Sequence, residues 1–125
     1  MSSPSATQNT YPYQNEPTWS RSEKALARRV FDAALKRELQ EVMQEAKQKA
    51  SLMKEPGDLW RLERYLTQHR KDIDRKYDFC LSRLMPMLGT LSCELRITET
   101  ELRGLGENKV KAIRSLAKAL TEDAA

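Results

Sequence analysis

Few residues of this chain are equipped for chemistry, and most of them fall between Asp58 and Arg83. His69 is the single histidine, Asp72 and Asp74 form a nearby carboxylate pair, and Cys80 and Cys93 are the two cysteines. On a helix turning about 100° per residue, carboxylates two positions apart diverge, which is wrong for joint acid and base work. His69 falls within a run of leucines, the setting of a satisfied interior or interface histidine rather than of a proton shuttle. Lys76 and Arg83 flank Cys80 and would favour its thiolate, but its place on the same apolar seam predicts an inert packed thiol. Two cysteines and one histidine cannot complete a zinc site or a disulfide framework. The signatures G-x-x-x-x-G-K-S/T, G-x-G-x-x-G, H-E-x-x-H and G-x-S-x-G are absent from the sequence. The residues therefore predict no enzyme, no cofactor and no metal, and they point to recognition instead.

The elements that carry these residues follow from apolar spacing. On a helical wheel Leu59, Leu62, Leu66, His69, Ile73, Tyr77, Cys80 and Leu84 share roughly one quadrant, a seam expected to continue to about Met85. Trp60 lies outside it, among Arg64, Thr67, Lys71, Asp74 and Asp78, with Glu63 and Arg70 at the boundary. A large aromatic among charges invites a partner. Upstream, Phe31, Leu35, Leu39, Val42, Ala46, Ala50 and Met53 recur every three or four residues. That seam predicts a long helix, opened by the S-x-x-E capping box at Ser20 and Glu23 and stopped by Pro56-Gly57. Asp58 is expected to cap the second helix, and Pro86 with Gly89 to break it. A second capping box at Thr98 and Glu101 predicts a short helix, and Val110, Ile113, Leu116, Ala117 and Leu120 predict a last one from about Glu107 to Leu120.

The chain has 125 residues, 39% hydrophobic and 32% charged, with a mean hydropathy of -0.73. No apolar run approaches the roughly 20 residues that span a bilayer, and no charged n-region and apolar h-region open the chain. A cytoplasmic location without membrane insertion is expected. The first 18 residues hold no Lys or Arg and three prolines, and read as a disordered tail. The expected organisation is all-α: a tail over 1–18, a long helical hairpin over 19–85 and a head of short helices over 86–125. A two-helix hairpin encloses one thin seam, too little apolar burial to offset chain entropy alone, so a homodimer is expected. Met43 and Trp60 are the apolar groups left for its interface. The net charge of +4 comes from 22 bases interleaved with 18 acids, the pattern of solvated helix faces. It disfavours nucleic acid as a partner.

The chain resembles the fluorescence recovery proteins of cyanobacteria over about residues 19–120. The resemblance rests on Trp19, Ser20 and Glu23, on Ala27, Phe31, Ala34 and Arg37-Glu38-Leu39, and on Leu59-Trp60, Leu62, Leu66, Arg70, Ile73-Asp74 and Lys76-Tyr77-Asp78. Glu101-Leu102, Leu105, Lys109, Ile113 and Leu116 extend it. It implies an all-helical homodimer with a long two-helix dimerisation stalk and a smaller head. The implied activity is non-enzymatic: binding the C-terminal domain of photoactivated orange carotenoid protein, hastening its red-to-orange reversion and ending phycobilisome fluorescence quenching. Through such a partner the protein would sit peripheral to thylakoid membranes. Carried over by residue, the dimer interface is expected at Leu39, Met43, Trp60 and Arg70, and partner binding at Trp60, Glu63, Arg64 and Arg70. Pro86, Lys109 and Lys111 mark the head. Glu63-Arg64 stands where the family commonly has His-Asp, and Pro86 where an aromatic is common. A helical dimeric adaptor with another protein partner is the alternative that these departures keep open, with a basic nucleic-acid-binding module behind it.

Overall fold

The structure, a computed structural model, describes residues 18–124. The expected disordered tail lies outside the described residues except for Thr18. Arg21–Ser51 forms α1, a single helix of 31 residues and so about 46 Å long. It begins where the capping box predicts: Ser20 Oγ accepts from the Glu23 amide at 3.1 Å, and Glu23 Oε1 accepts from the Ser20 amide at 2.8 Å. The helix stops at Ser51, before the Pro56-Gly57 pair.

Gly57–Lys76 forms α2. Its cap position is Pro56, in helical conformation, rather than Asp58. Asp58 instead reaches back, and its Oδ2 accepts from the Lys54 and Glu55 amides at 2.9 and 3.1 Å. The acid still satisfies amides of the turn, two positions further inside the helix than predicted. The helices run past each other in opposite directions: Tyr65 donates its hydroxyl to Glu45, Lys49 lies over the Tyr65 ring, and Lys76 reaches Glu38.

The seam reading extends α2 to about Met85, but the helix ends at Lys76, and Phe31 is the reason. Its ring takes the edges of both Tyr77 and Phe79, with centroids 5.1 and 5.2 Å away. Residues two apart on a helix point about 200° apart; leaving the helix lets both aromatics reach one ring. A 3-10 turn over Leu81–Arg83 then leads into α3, Leu84–Cys93. Pro86 therefore does not break a helix. It is the third residue of α3, where amides have no intrahelical acceptor and a missing N–H costs little.

Thr98 opens α4, Glu99–Leu102, with the predicted capping box. A second 3-10 turn, Arg103–Leu105, and Gly106 at φ 89° lead to α5, Glu107–Ala124. The main core lies where α1's N-terminal half meets these short helices. Ala27, Val30, Phe31 and Ala34 pack with Leu84, Leu88, Leu91, Ile97, Leu102, Leu105, Val110 and Ile113. α3 crosses α5 closely at Gly89, where a Cβ would lie 2.8 Å from that of Leu116. Of α2, only Ile73 is fully buried.

Candidate functional site

The long helices keep apolar side chains that nothing among the described residues covers. Leu39, Met43, Leu59, Trp60 and Leu66 are 44, 56, 52, 61 and 40% exposed. Leu39 and Met43 are one turn apart on α1, Leu59 and Leu66 two turns apart on α2, and Trp60 stands about 100° around from Leu59. The predicted burial of Leu59 and Leu66 against α1 therefore does not occur. Tyr65 takes the contact: its hydroxyl lies 3.1 Å from Glu45, its ring carries the Lys49 ammonium at 4.9 Å, and His69 packs on it at 4.3 Å. Half-buried Leu62, Tyr65 and His69 turn the α2 seam away from the leucines named with them. Glu63, Arg64 and Arg70 are exposed on the same helix as Trp60.

At the other end of α2 the chain builds a polar hub that sequence reasoning missed. Glu38 is buried, with Lys76 Nζ at 2.8 Å, the Tyr77 hydroxyl donating at 2.8 Å and Arg96 Nε at 3.2 Å. Lys76 also reaches Glu94 at 2.8 Å, and Arg96 reaches Glu41 at 2.6 Å and Glu94 at 2.8 Å. Burial, then the bond to Glu38, pushes the Tyr77 hydroxyl far above its ordinary value, so it stays a donor. Burial works against the Arg96 cation, yet Glu41, Glu94 and Glu38 more than offset it and raise its pKa. Burial likewise raises Glu94, but Lys76 and Arg96 win and hold it below the usual carboxylate range. Arg37 grips Glu101 through two hydrogen bonds of 3.0 and 2.8 Å and donates to the Arg96 carbonyl at 2.6 Å. A sequence signal existed: Ala27, Phe31, Ala34 and Glu38 are spaced 4, 3 and 4 apart, which puts an acid on a buried stripe.

Of the head residues, Lys109 is half-buried in a clamp. Its ammonium donates to the Thr18 carbonyl at 2.8 Å and to both Glu23 oxygens at 3.0 Å, 4.9 Å from the Trp19 ring. It fastens α5 to the start of α1. Pro86 lines a cleft of about 210 Å³ with Arg75, Lys76, Asp78, Arg83, Met87 and Thr90. Lys111 is exposed on α5, away from both. Cys80 is half-buried but does not pack in the seam as predicted. The seam has ended before it, its sulfur lies 3.1 Å from Ser82 Oγ, and that hydroxyl and Arg83 lower its pKa. Cys93 lies 3.3 Å from the Thr121 hydroxyl. Among the described residues no cluster of His, Cys, Asp and Glu has metal-binding geometry, and no helix is long and apolar enough to cross a membrane.

A helical frame with a paired polar hub inside and large apolar side chains outside defines a scaffold suited to presenting a surface. Comparison with known proteins gives that scaffold its family. The family described as photoprotection regulator fluorescence recovery protein matches residues 19–117. The fluorescence recovery protein of Synechocystis sp. PCC 6803 is 32% identical over 103 residues, which cover 82% of this chain and 94% of the relative. The solved structure of the Fremyella diplosiphon fluorescence recovery protein superposes with a TM-score of 0.75 at 34% identity, covering 81% of this chain and 99% of that one. That of the Synechocystis protein gives 0.75 at 32%, with the same coverage. The chain belongs to the fluorescence recovery protein family.

Proposed function

We propose that this protein is a non-enzymatic regulator that binds the C-terminal domain of photoactivated orange carotenoid protein and accelerates its red-to-orange reversion. Phycobilisome fluorescence quenching then ends. Family membership over residues 19–117 is the observation that carries this reading. The physical demand is modest: a regulator hastens reversion by binding the domain-closing transition state better than the open red state. A difference of about 1.4 kcal/mol gives roughly tenfold in rate.

The working form is a homodimer, with residues 19–85 as a hairpin stalk and 86–125 as the head. Exposed Leu39, Met43 and Trp60 support that assembly, since apolar groups of this size on long helices gain most from a second copy. Arg70 joins them at the dimer interface. Trp60, Glu63, Arg64 and Arg70 form the partner-binding edge, and Pro86, Lys109 and Lys111 lie in the head region. The protein acts in the cytoplasm, at the thylakoid periphery through its phycobilisome-associated partner.

The test is the dark relaxation of purified, photoactivated orange carotenoid protein with and without this chain. Faster decay of the red form that saturates with concentration is expected. An unchanged decay at saturating concentration sinks the reading and leaves an adaptor for a different protein.

A further inference from the structure

The end of α3 holds the described chain's one backbone conformation that its residue type disfavours. The Leu95 amide bonds the Ser92 carbonyl at 3.0 Å and the Arg96 amide bonds the Leu91 carbonyl at 2.9 Å. This is the Schellman closure of a helix, whose C′ residue is left-handed and usually glycine. Here that residue is Leu95, at φ 62°. A leucine in this region pushes Cβ against the following carbonyl, and glycine or asparagine would relieve it. Burial does not offset that cost, because Leu95 is 88% exposed, the most exposed large hydrophobic side chain described. Local stability thus argues against leucine twice, from the backbone and from solvation.

The segment that carries Leu95 is nevertheless tightly held. Next to it, Arg96 is clamped by Glu38, Glu41 and Glu94, and its carbonyl accepts from Arg37. Given the functional reading above, we infer that Leu95 is a fixed apolar knob that enters an apolar pocket on the protein partner. Pinning the loop in advance removes much of the ordering cost of docking. The charges beside the knob favour a protein surface as its occupant. Arg37, Lys76 and Arg96 are three cations already paired with four carboxylates, Glu38, Glu41, Glu94 and Glu101. That balance, four acids to three bases, disfavours nucleic acid and anionic lipid and suits a neutral or basic protein surface around an apolar pocket.

The experiment compares wild type, Leu95→Gly, Leu95→Asn and Leu95→Met by thermal melting, sedimentation and acceleration of dark reversion of photoactivated orange carotenoid protein. Leu95→Gly and Leu95→Asn are expected to raise Tm by a few degrees and to keep the wild-type mass. Both should need roughly tenfold more protein for half-maximal acceleration, whereas Leu95→Met stays within about threefold. Lowered Tm in both Gly and Asn variants would place the leucine's role in folding and overturn the knob. An unchanged half-maximal concentration overturns it as well, and an altered mass reassigns Leu95 to a second copy. If wild type itself fails to accelerate reversion, the functional reading falls and the knob's assignment falls with it.

Discussion

At the scale of single residues the molecule turns on Glu38. A carboxylate with only 8% of its side chain exposed is tolerable because Lys76, Arg96 and the Tyr77 hydroxyl converge on it from other parts of the chain. Removing one member of such a group is costlier than never having built it, since the partners stay desolvated. Glu38→Ala is expected to cost about 2–4 kcal/mol and Tyr77→Phe about 1 kcal/mol in urea denaturation. A cost for Glu38→Ala no larger than that of an exposed acid would refute the hub. Acid sensitivity follows from neighbouring groups. Hydrogen bonds from Arg37 hold Glu101 below the usual carboxylate range, those from the Ser20 amide and Lys109 do the same for Glu23, and Glu94 is lowered at the hub. Folded carboxylates with depressed pKa values add stability above the ordinary unfolded value of 4.5 and lose it as pH falls through the folded one. Tm should therefore be level in mildly acid buffer and fall below pH of about 4.5. A Tm that rises on acidification would contradict this.

At the scale of elements, the contacts of α3 and α5 depend on a missing side chain. Gly89 is buried mid-helix, where a Cβ would meet Leu116 Cβ at 2.8 Å. Both are attached directly to backbone, so relief requires the helices to separate. Gly89→Ala is expected to destabilise by roughly 1–3 kcal/mol despite alanine's better helix propensity. Equal or higher stability in thermal unfolding would show that α5 can yield. Helix starts were the legible part of this fold: Ser20 with Glu23 and Thr98 with Glu101 signal them through side chains within three residues. Such signals are local, and local physics decides them. The end of α2 was illegible because it is set by Phe31, nearly fifty positions upstream in the chain, and the apolar period through Tyr77 and Cys80 gave no sign of it. Pro86 misled for the same reason. A proline is a breaker inside a helix and a neutral residue in its first turn, and only the position of the preceding break decides which. The candidate surface was partly legible: Trp60 off the seam reads from the wheel, whereas the exposure of Leu59 and Leu66 depends on Tyr65 docking across α1.

At the scale of the whole molecule, burial divides the long helices into a part that folds the chain and a part that is left over. Ile73 is 8% exposed near the hub, while Leu66, two turns earlier on α2, is 40% exposed. Both read as members of one seam, but they answer to different partners. Ile73→Asp buries an unpaired charge and is expected to cost several kcal/mol, or to neutralise only at a comparable penalty, with loss of helicity and of cooperative melting. Leu66→Asp meets water in the single chain and should leave its helicity nearly intact. If a second copy covers that face, the same substitution weakens self-association, as does Trp60→Ala, because aromatic anchors at interfaces are often worth about 2 kcal/mol or more. Sedimentation over a range of concentrations, with circular dichroism on the same samples, separates the outcomes. Leu66→Asp and Trp60→Ala variants that stay helical but dissociate at concentrations where wild type is paired would assign the uncovered face to assembly. Unchanged mass in both would assign it to the partner alone.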